Sequence, residues 1–173
     1  MWSKRRRTTS RMKPATRFPA DAKHLPEVVD AVRKRYSWDA GSLTIDLPYA
    51  WRDASDDDAI SFSSPGGDAA LTITVYTNPV LTAADVDRIT LDRKPFGMTF
   101  SPKRDFPVAN GFGYAQDFRK EEEDAQIAFI AHFLFCPDVT IIASVNGPPA
   151  FVEKDRSKLD GLLSSIRVYS KTE

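Results

Sequence analysis

Two histidines and one cysteine are the residues of this 173-residue chain that could carry imidazole or thiol chemistry, and their spacing limits what they can do. His132 and Cys136 lie four residues apart in the apolar run from Ile127 to Cys136. On a strand they share a face, but four residues of extended chain separate them by about 13 Å, against about 3 Å for proton transfer. A Cys–His dyad is excluded unless the strand breaks. Cys136 then reads as a small apolar residue near a strand end. A metal centre needs several converging ligands, and no His, Cys and carboxylate spacing supplies them, so no metal or cofactor is expected.

The acids fall into two clusters, Asp53 with Asp56, Asp57 and Asp58, and Glu121, Glu122 and Glu123 with Asp124. The first lacks the alternating ligands and central glycine of a calcium loop. Paired carboxylates can cleave glycosides, but on turns nothing would raise one pKa above the other. These acids either solvate hairpin ends or steer a basic partner. A phosphate-binding glycine loop and a Gly-x-Ser-x-Gly elbow are both missing.

The side chains around these groups set one domain and an extension. Residues 1–20 carry seven basic side chains and no acid. The other 153 residues then hold 17 basic against 24 acidic side chains, a balance of −7. We assign residues 1–22 to a basic flexible tail, 23–37 to an amphipathic helix and 38–170 to a single α+β domain. The helix is expected because Leu25, Val28, Val29, Val32 and Tyr36 recur at three- and four-residue spacing. The tail suggests nucleic-acid or membrane-surface contact, yet the acidic body opposes a phosphate backbone, so a nucleic-acid partner is not expected. No apolar run reaches the roughly 18 residues that cross a bilayer, and a cytoplasmic location follows as the expectation.

From residue 42 the apolar period changes to two. Leu43, Ile45 and Leu47 alternate with polar neighbours up to Pro48, then Ile60 with Phe62, then Leu71, Ile73 and Val75. These three strands are expected to form an antiparallel meander. Thr82 and Asp85 form a capping-box-like helix start, and residues 93–107, with three prolines, read as a long loop. Strands follow over 112–120, 126–136 and 139–145, and an amphipathic helix closes the chain through Val152, Leu159, Leu163 and Ile166. Parity is expected to give the sheet one buried face, with Ile127, Phe129, Ala131, Phe133 and Phe135 beside Val139, Ile141, Ala143 and Val145. The other face would be mixed, with Ile130, His132, Leu134 and Ile142 among Thr72, Thr74, Thr140 and Ser144. Ile130, His132 and Leu134 on that mixed face, with Asp56, Asp57, Asp58, Glu121, Glu122 and Glu123, are the candidate partner-binding residues.

The stretch Leu43-Thr-Ile-Asp-Leu-Pro-Tyr-Ala-Trp51 resembles the strand–Pro–x–x–Trp opening of the PsbP/Mog-like superfamily. The likeness continues through Leu71 to Tyr76, the helix from Thr82, the strands of 112–146 and the closing Leu162-Leu-Ser-Ser-Ile-Arg167, covering about residues 42–168. That resemblance implies an antiparallel sheet flanked by helices, and a binder with no catalytic residues to carry over. Members range from photosystem-associated proteins and a Ran-binding nuclear factor to chaperones for secreted toxins and immunity proteins. The expected function is a non-enzymatic bacterial protein that binds a toxin or effector, as an immunity protein or chaperone. Two alternatives stay open: a nuclear Ran-type factor addressed by Lys4 to Arg7, and a small-molecule binder or enzyme using the sheet face around His132. The latter requires a deep pocket beside His132.

Overall fold

The computed structural model describes residues 13–14, 31–38, 41–56, 59–92, 97–122 and 125–170. Its elements run β1 (Lys13–Pro14), β2 (Ala31–Trp38), β3 (Gly41–Pro48), β4 (Arg52–Asp53), β5 (Ile60–Ser63), β6 (Ala70–Tyr76) and α1 (Ala83–Asp92). They continue with β7 (Met98–Phe100), β8 (Arg104–Phe106), β9 (Phe112–Glu122), β10 (Ala125–Cys136) and β11 (Val139–Gly147). Then come α2 (Pro149–Lys154), α3 (Arg156–Ser164) and β12 (Arg167–Ser170). The expected α+β class holds: every strand pair is antiparallel, and the helices flank the sheets.

Two sheets share one core. The smaller has the order β1-β2-β3-β12, and the larger β4-β5-β6-β11-β10-β9-β7, with β8 also pairing β9. Leu43, Ile45 and Leu47 of β3 meet Phe62, Leu71, Ile73, Ile130, Leu134, Ile141 and Val145 of the large sheet in a single apolar cluster. Leu159, Leu162 and Leu163 of α3 and Val152 of α2 close it. The ring of Tyr36 meets Phe62 edge-on across the sheets, with centroids 6.1 Å apart. Such side chains stabilise the fold by about 2 kcal/mol each against the entropy of ordering the chain.

Three expectations need correction here. Residues 31–38 form a strand where a helix was expected, because a four-residue interval such as Val32 to Tyr36 satisfies period two as well as period 3.6. The decisive pattern is Val32, Lys34, Tyr36 and Trp38, which pair with Leu47, Ile45, Leu43 and Gly41 and so share their inward face. Lys34 tolerates that face by extending its stem, leaving its ammonium 4.8 Å from the Phe62 ring centroid and 3.4 Å from Asp53 Oδ2. The remainder of the expected helix, and the tail apart from Lys13 and Pro14, lie outside the described residues. Next, β3 is not in a meander with β5 and β6: the turn after Pro48, closed by Trp51 N–H donating to Pro48 O, carries the chain to the other sheet. Trp51 packs against the core at that crossing. Finally, the expected loop of 93–107 contains β7 and β8, both paired to β9, while residues 93–96 lie outside the described set.

Local chemistry fixes the ends. Thr82 and Asp85 make the expected reciprocal cap: Asp85 N–H donates to Thr82 Oγ1 at 3.2 Å, and Thr82 N–H donates to Asp85 Oδ2 at 3.0 Å. Gly41 permits the close approach of three segments. A Cβ there would sit 2.6 Å from the carbonyl oxygen of Tyr169 and 2.8 Å from the Trp38 ring. Gly41→Ala should therefore displace β12 and destabilise the fold by about 1–3 kcal/mol, measured by denaturant unfolding. A variant as stable as the parent would contradict this packing.

Candidate functional site

The turn Pro137–Asp138 pairs Cys136 with Val139, so an even-numbered residue of β10 shares its face with an odd-numbered residue of β11. Val139, Ile141, Ala143 and Val145 of β11 lie on the buried face as expected, whereas the β10 residues were assigned with the opposite parity and the structure exchanges them. Ile130, His132 and Leu134 stand beside Val145, Ala143 and Ile141 on the face under α2, α3 and the small sheet. Their exposures are 0%, 2% and 1%, so they are core residues and not a partner surface. The mixed face is instead the one carrying Phe129, Phe133 and Phe135 together with Thr72, Thr74, Thr140, Ile142 and Ser144.

Among the described residues, α1 covers part of that second face. Val86 of α1 packs on Tyr114, Phe133 and Phe135, making a small second core. Ile142 and Phe118 pack against the edge of that small core, and beyond it the side chains of Thr72, Thr74, Ser144 and Phe129 are half-buried. Phe129 stacks on Phe118 with centroids 4.4 Å apart, and Phe118 meets Phe100 at 5.6 Å. A ribbon of hydroxyls thus lies beside an aromatic stack.

The acidic candidates are not brought together. Asp56 is exposed in the loop joining β4 to β5 at one edge of the sheet, where its Oδ1 accepts from Ala59 N–H at 2.9 Å. Glu121 is exposed near the β9–β10 turn, across the intervening β6 and β11, and accepts from Gln126. Glu122 ends β9, while Asp57, Asp58 and Glu123 lie outside the described residues.

A charged network that the sequence reading did not anticipate forms around His132. Arg104 on β8 holds Asp117 on β9 through two hydrogen bonds, of 3.0 and 3.2 Å, and Arg156 on α3 donates to the same carboxylate. Arg156 Nε lies 3.8 Å from Asp160, whose other oxygen lies 3.8 Å from His132 Nε2. His132 Nδ1 has no hydrogen-bond partner among the described residues. Burial pushes the His132 pKa down, against the opposing pull of Asp160. Phe106 covers the ring, with centroids 4.4 Å apart. The imidazole is consequently neutral near pH 7 and covered by the Phe106 ring. Cys136 is also buried, and desolvation raises its thiol pKa. Among the described residues no three His, Cys, Asp or Glu side chains are arranged to hold a metal.

Next to this network lies an open cleft of about 280 Å³, between the β7–β9–β10 edge and the α2–α3 pair. Ala128 and Val152 supply apolar lining, Thr99 and Ser101 hydroxyls, and Asp117, Arg119, Glu153 and Arg156 charge. His132 does not line it. The available signal for these residues was the polar inward series of β9: Ala115, Asp117 and Arg119 alternate with Tyr114, Gln116 and Phe118.

No protein-family profile matches the chain, and no curated protein matches it in sequence. Solved structures do match its fold. The solution structure of cyanobacterial PsbP (CyanoP) from Synechocystis sp. PCC 6803 superposes with a TM-score of 0.60 at 16% identity, covering 88% of this chain and all of that one. PA94 from Pseudomonas aeruginosa, a protein of unknown function, gives 0.51 at 16% identity, covering 70% of this chain and 88% of that one. A Bacteroides thetaiotaomicron VPI-5482 structure gives 0.51 at 11% identity over 76% of this chain and 46% of its own. The chain thus has a PsbP-like fold. No helix among the described residues is long and apolar enough to cross a membrane.

The depressed His132 pKa fixes the sign of a pH effect. The folded state holds the imidazole neutral, whereas the unfolded chain protonates near the ordinary value of about 6.5. Its contribution is therefore complete above about pH 6.5 and is lost as pH falls toward the lower folded value. Melting temperature should drop between pH 7 and 5 more steeply for the parent than for His132→Leu. Equal slopes would show that His132 titrates alike in both states.

Proposed function

We propose that this chain is a non-enzymatic binding protein that holds a segment of a secreted toxin or effector, as an immunity protein or as a chaperone. The observation that carries this reading is the part of the large sheet's second face that no described helix covers, where Thr72, Thr74 and Ser144 lie beside Ile142 and the Phe118–Phe129 stack. Half-exposed aromatics beside hydroxyls suit a protein segment better than bulk water. The rings offer apolar area at low entropy cost, and the hydroxyls satisfy polar groups that contact would desolvate. The PsbP-like fold is compatible with this role but does not specify it, because one fold hosts many functions.

The reading is tested by producing the chain together with the secreted toxin or effector encoded beside its gene. A stoichiometric complex is expected on size exclusion. Thr72→Arg with Ser144→Arg should weaken it at least about tenfold, equivalent to 1.4 kcal/mol, with the melting temperature unchanged because both side chains are half-exposed. No complex with the parent chain, or an unchanged affinity in the double variant, would remove this assignment.

A further inference from the structure

We propose that the cleft between β9 and the α2–α3 pair is a binding site for a small zwitterion of the α-amino acid class. Its walls present both charges in two pairs. Arg119 donates to Glu153 at 3.0 Å, and Arg156 donates to Asp117. A simple anion entering the cleft would meet two carboxylates, and a simple cation two guanidiniums. A ligand carrying one charge of each sign meets complementary groups throughout.

The pairs leave donors available. A guanidinium has five N–H groups, and the hydrogen bonds described use one Nη of Arg119 and one of Arg156. A ligand carboxylate can therefore take the remaining N–H groups without breaking either pair, while Glu153 receives the ligand ammonium. The two residues proposed to select the ligand are about half exposed, at 52% for Arg119 and 53% for Glu153, so solvent exchange leaves them accessible. Ala128 and Val152 provide an apolar contact for a short side chain, and the Thr99 hydroxyl sits at the same cleft. The volume of about 280 Å³ falls just short of the usual small-molecule pockets, which run from roughly 300 Å³ upward, and so limits the occupant to a single amino acid or a very small peptide. The charged groups of this site lie on the helix-covered side of the sheet, although Phe100, Phe118 and Phe129 of the aromatic stack also border the cleft. The protein-binding test changes Thr72 and Ser144, which do not line it, so either reading can fail alone.

The experiment titrates the full chain calorimetrically with glycine, L-alanine, L-serine, L-aspartate and L-arginine, using acetate and methylammonium as single-charge halves. At least one amino acid should bind with a Kd below about 1 mM, and both halves at least about tenfold more weakly. Arg119→Gln and Glu153→Gln should each reduce that affinity at least about fivefold. The unliganded melting temperature should hardly move, because exposed ion pairs contribute little to stability. Amino acids binding no better than acetate or methylammonium would overturn the proposal. So would full affinity in both folded variants.

Discussion

A connection of two residues, Pro137 and Asp138, sets the register on which the rest of the molecule is built. Because it pairs Cys136 with Val139, the nine paired positions of β10 and β11 place Ile130, His132 and Leu134 with Val145, Ala143 and Ile141. The same register continues outward through β6 and β9, so it decides the facing of Leu71, Ile73 and Ala115 as well. A slip by one residue would put the Phe129, Phe133 and Phe135 rings into the space now filled by α3 and β3. On the packed face of β10 and β11 the side chains are mainly aliphatic, and α3 and the small sheet close over them. The rings of Phe133 and Phe135 lie on the opposite face, against Val86 of α1.

That allocation explains why one charged network sits so close to the core. The packed face runs out of aliphatic residues toward β9, whose inward positions are Gly113, Ala115, Asp117 and Arg119. Gly113 cannot carry a side chain, since a Cβ would lie 2.7 Å from the Phe133 carbonyl oxygen and 2.8 Å from Val108. Asp117 then needs cationic partners, and it has two, from β8 and from α3. Partly buried carboxylates are costly unless hydrogen-bonded, so Asp117 ties both elements to β9 where apolar contact is sparse. His132 occupies the boundary between the two regimes, apolar on the Phe106 side and ionic toward Asp160.

Much of this architecture was legible in the sequence. The alternation of β3, β5 and β6, the Thr82 cap and the long β9–β10–β11 run all follow from local periodicity and turn chemistry. The closing helical stripe is there too, but broken at Asp155 into α2 and α3, with Ile166 beyond the helix and β12 after it. The reading failed where a local pattern is degenerate. Four-residue spacing cannot separate strand from helix, which is why Ala31–Trp38 was expected to be helical. Face parity depends on the length of a turn, and counting through Pro137–Asp138 with the wrong parity put Ile130, His132 and Leu134 on the wrong side. The charged cluster was harder still, since Arg104, Asp117, Arg156 and Asp160 come from three elements, and no sequence spacing links them.

The two faces of the large sheet differ in the kind of recognition they can support, and the difference follows from what covers each. On the packed side the cleft is bounded by charges fixed through pairing, Arg119 to Glu153 and Arg156 to Asp117. Such groups discriminate by charge and geometry, and they suit a small polar ligand. The opposite side has no comparable ion pairs among Thr72, Thr74, Ile142, Ser144 and Phe129; its side chains are short hydroxyls and rings held by stacking. A surface of that composition gains little from a small ion and more from extended apolar contact, because each ring contributes in proportion to the area it covers. The register that buries His132 is therefore the same constraint that sets the aromatic rings and hydroxyls together on the opposite face. Moving either face toward the other's chemistry would require β10 to slip against β11.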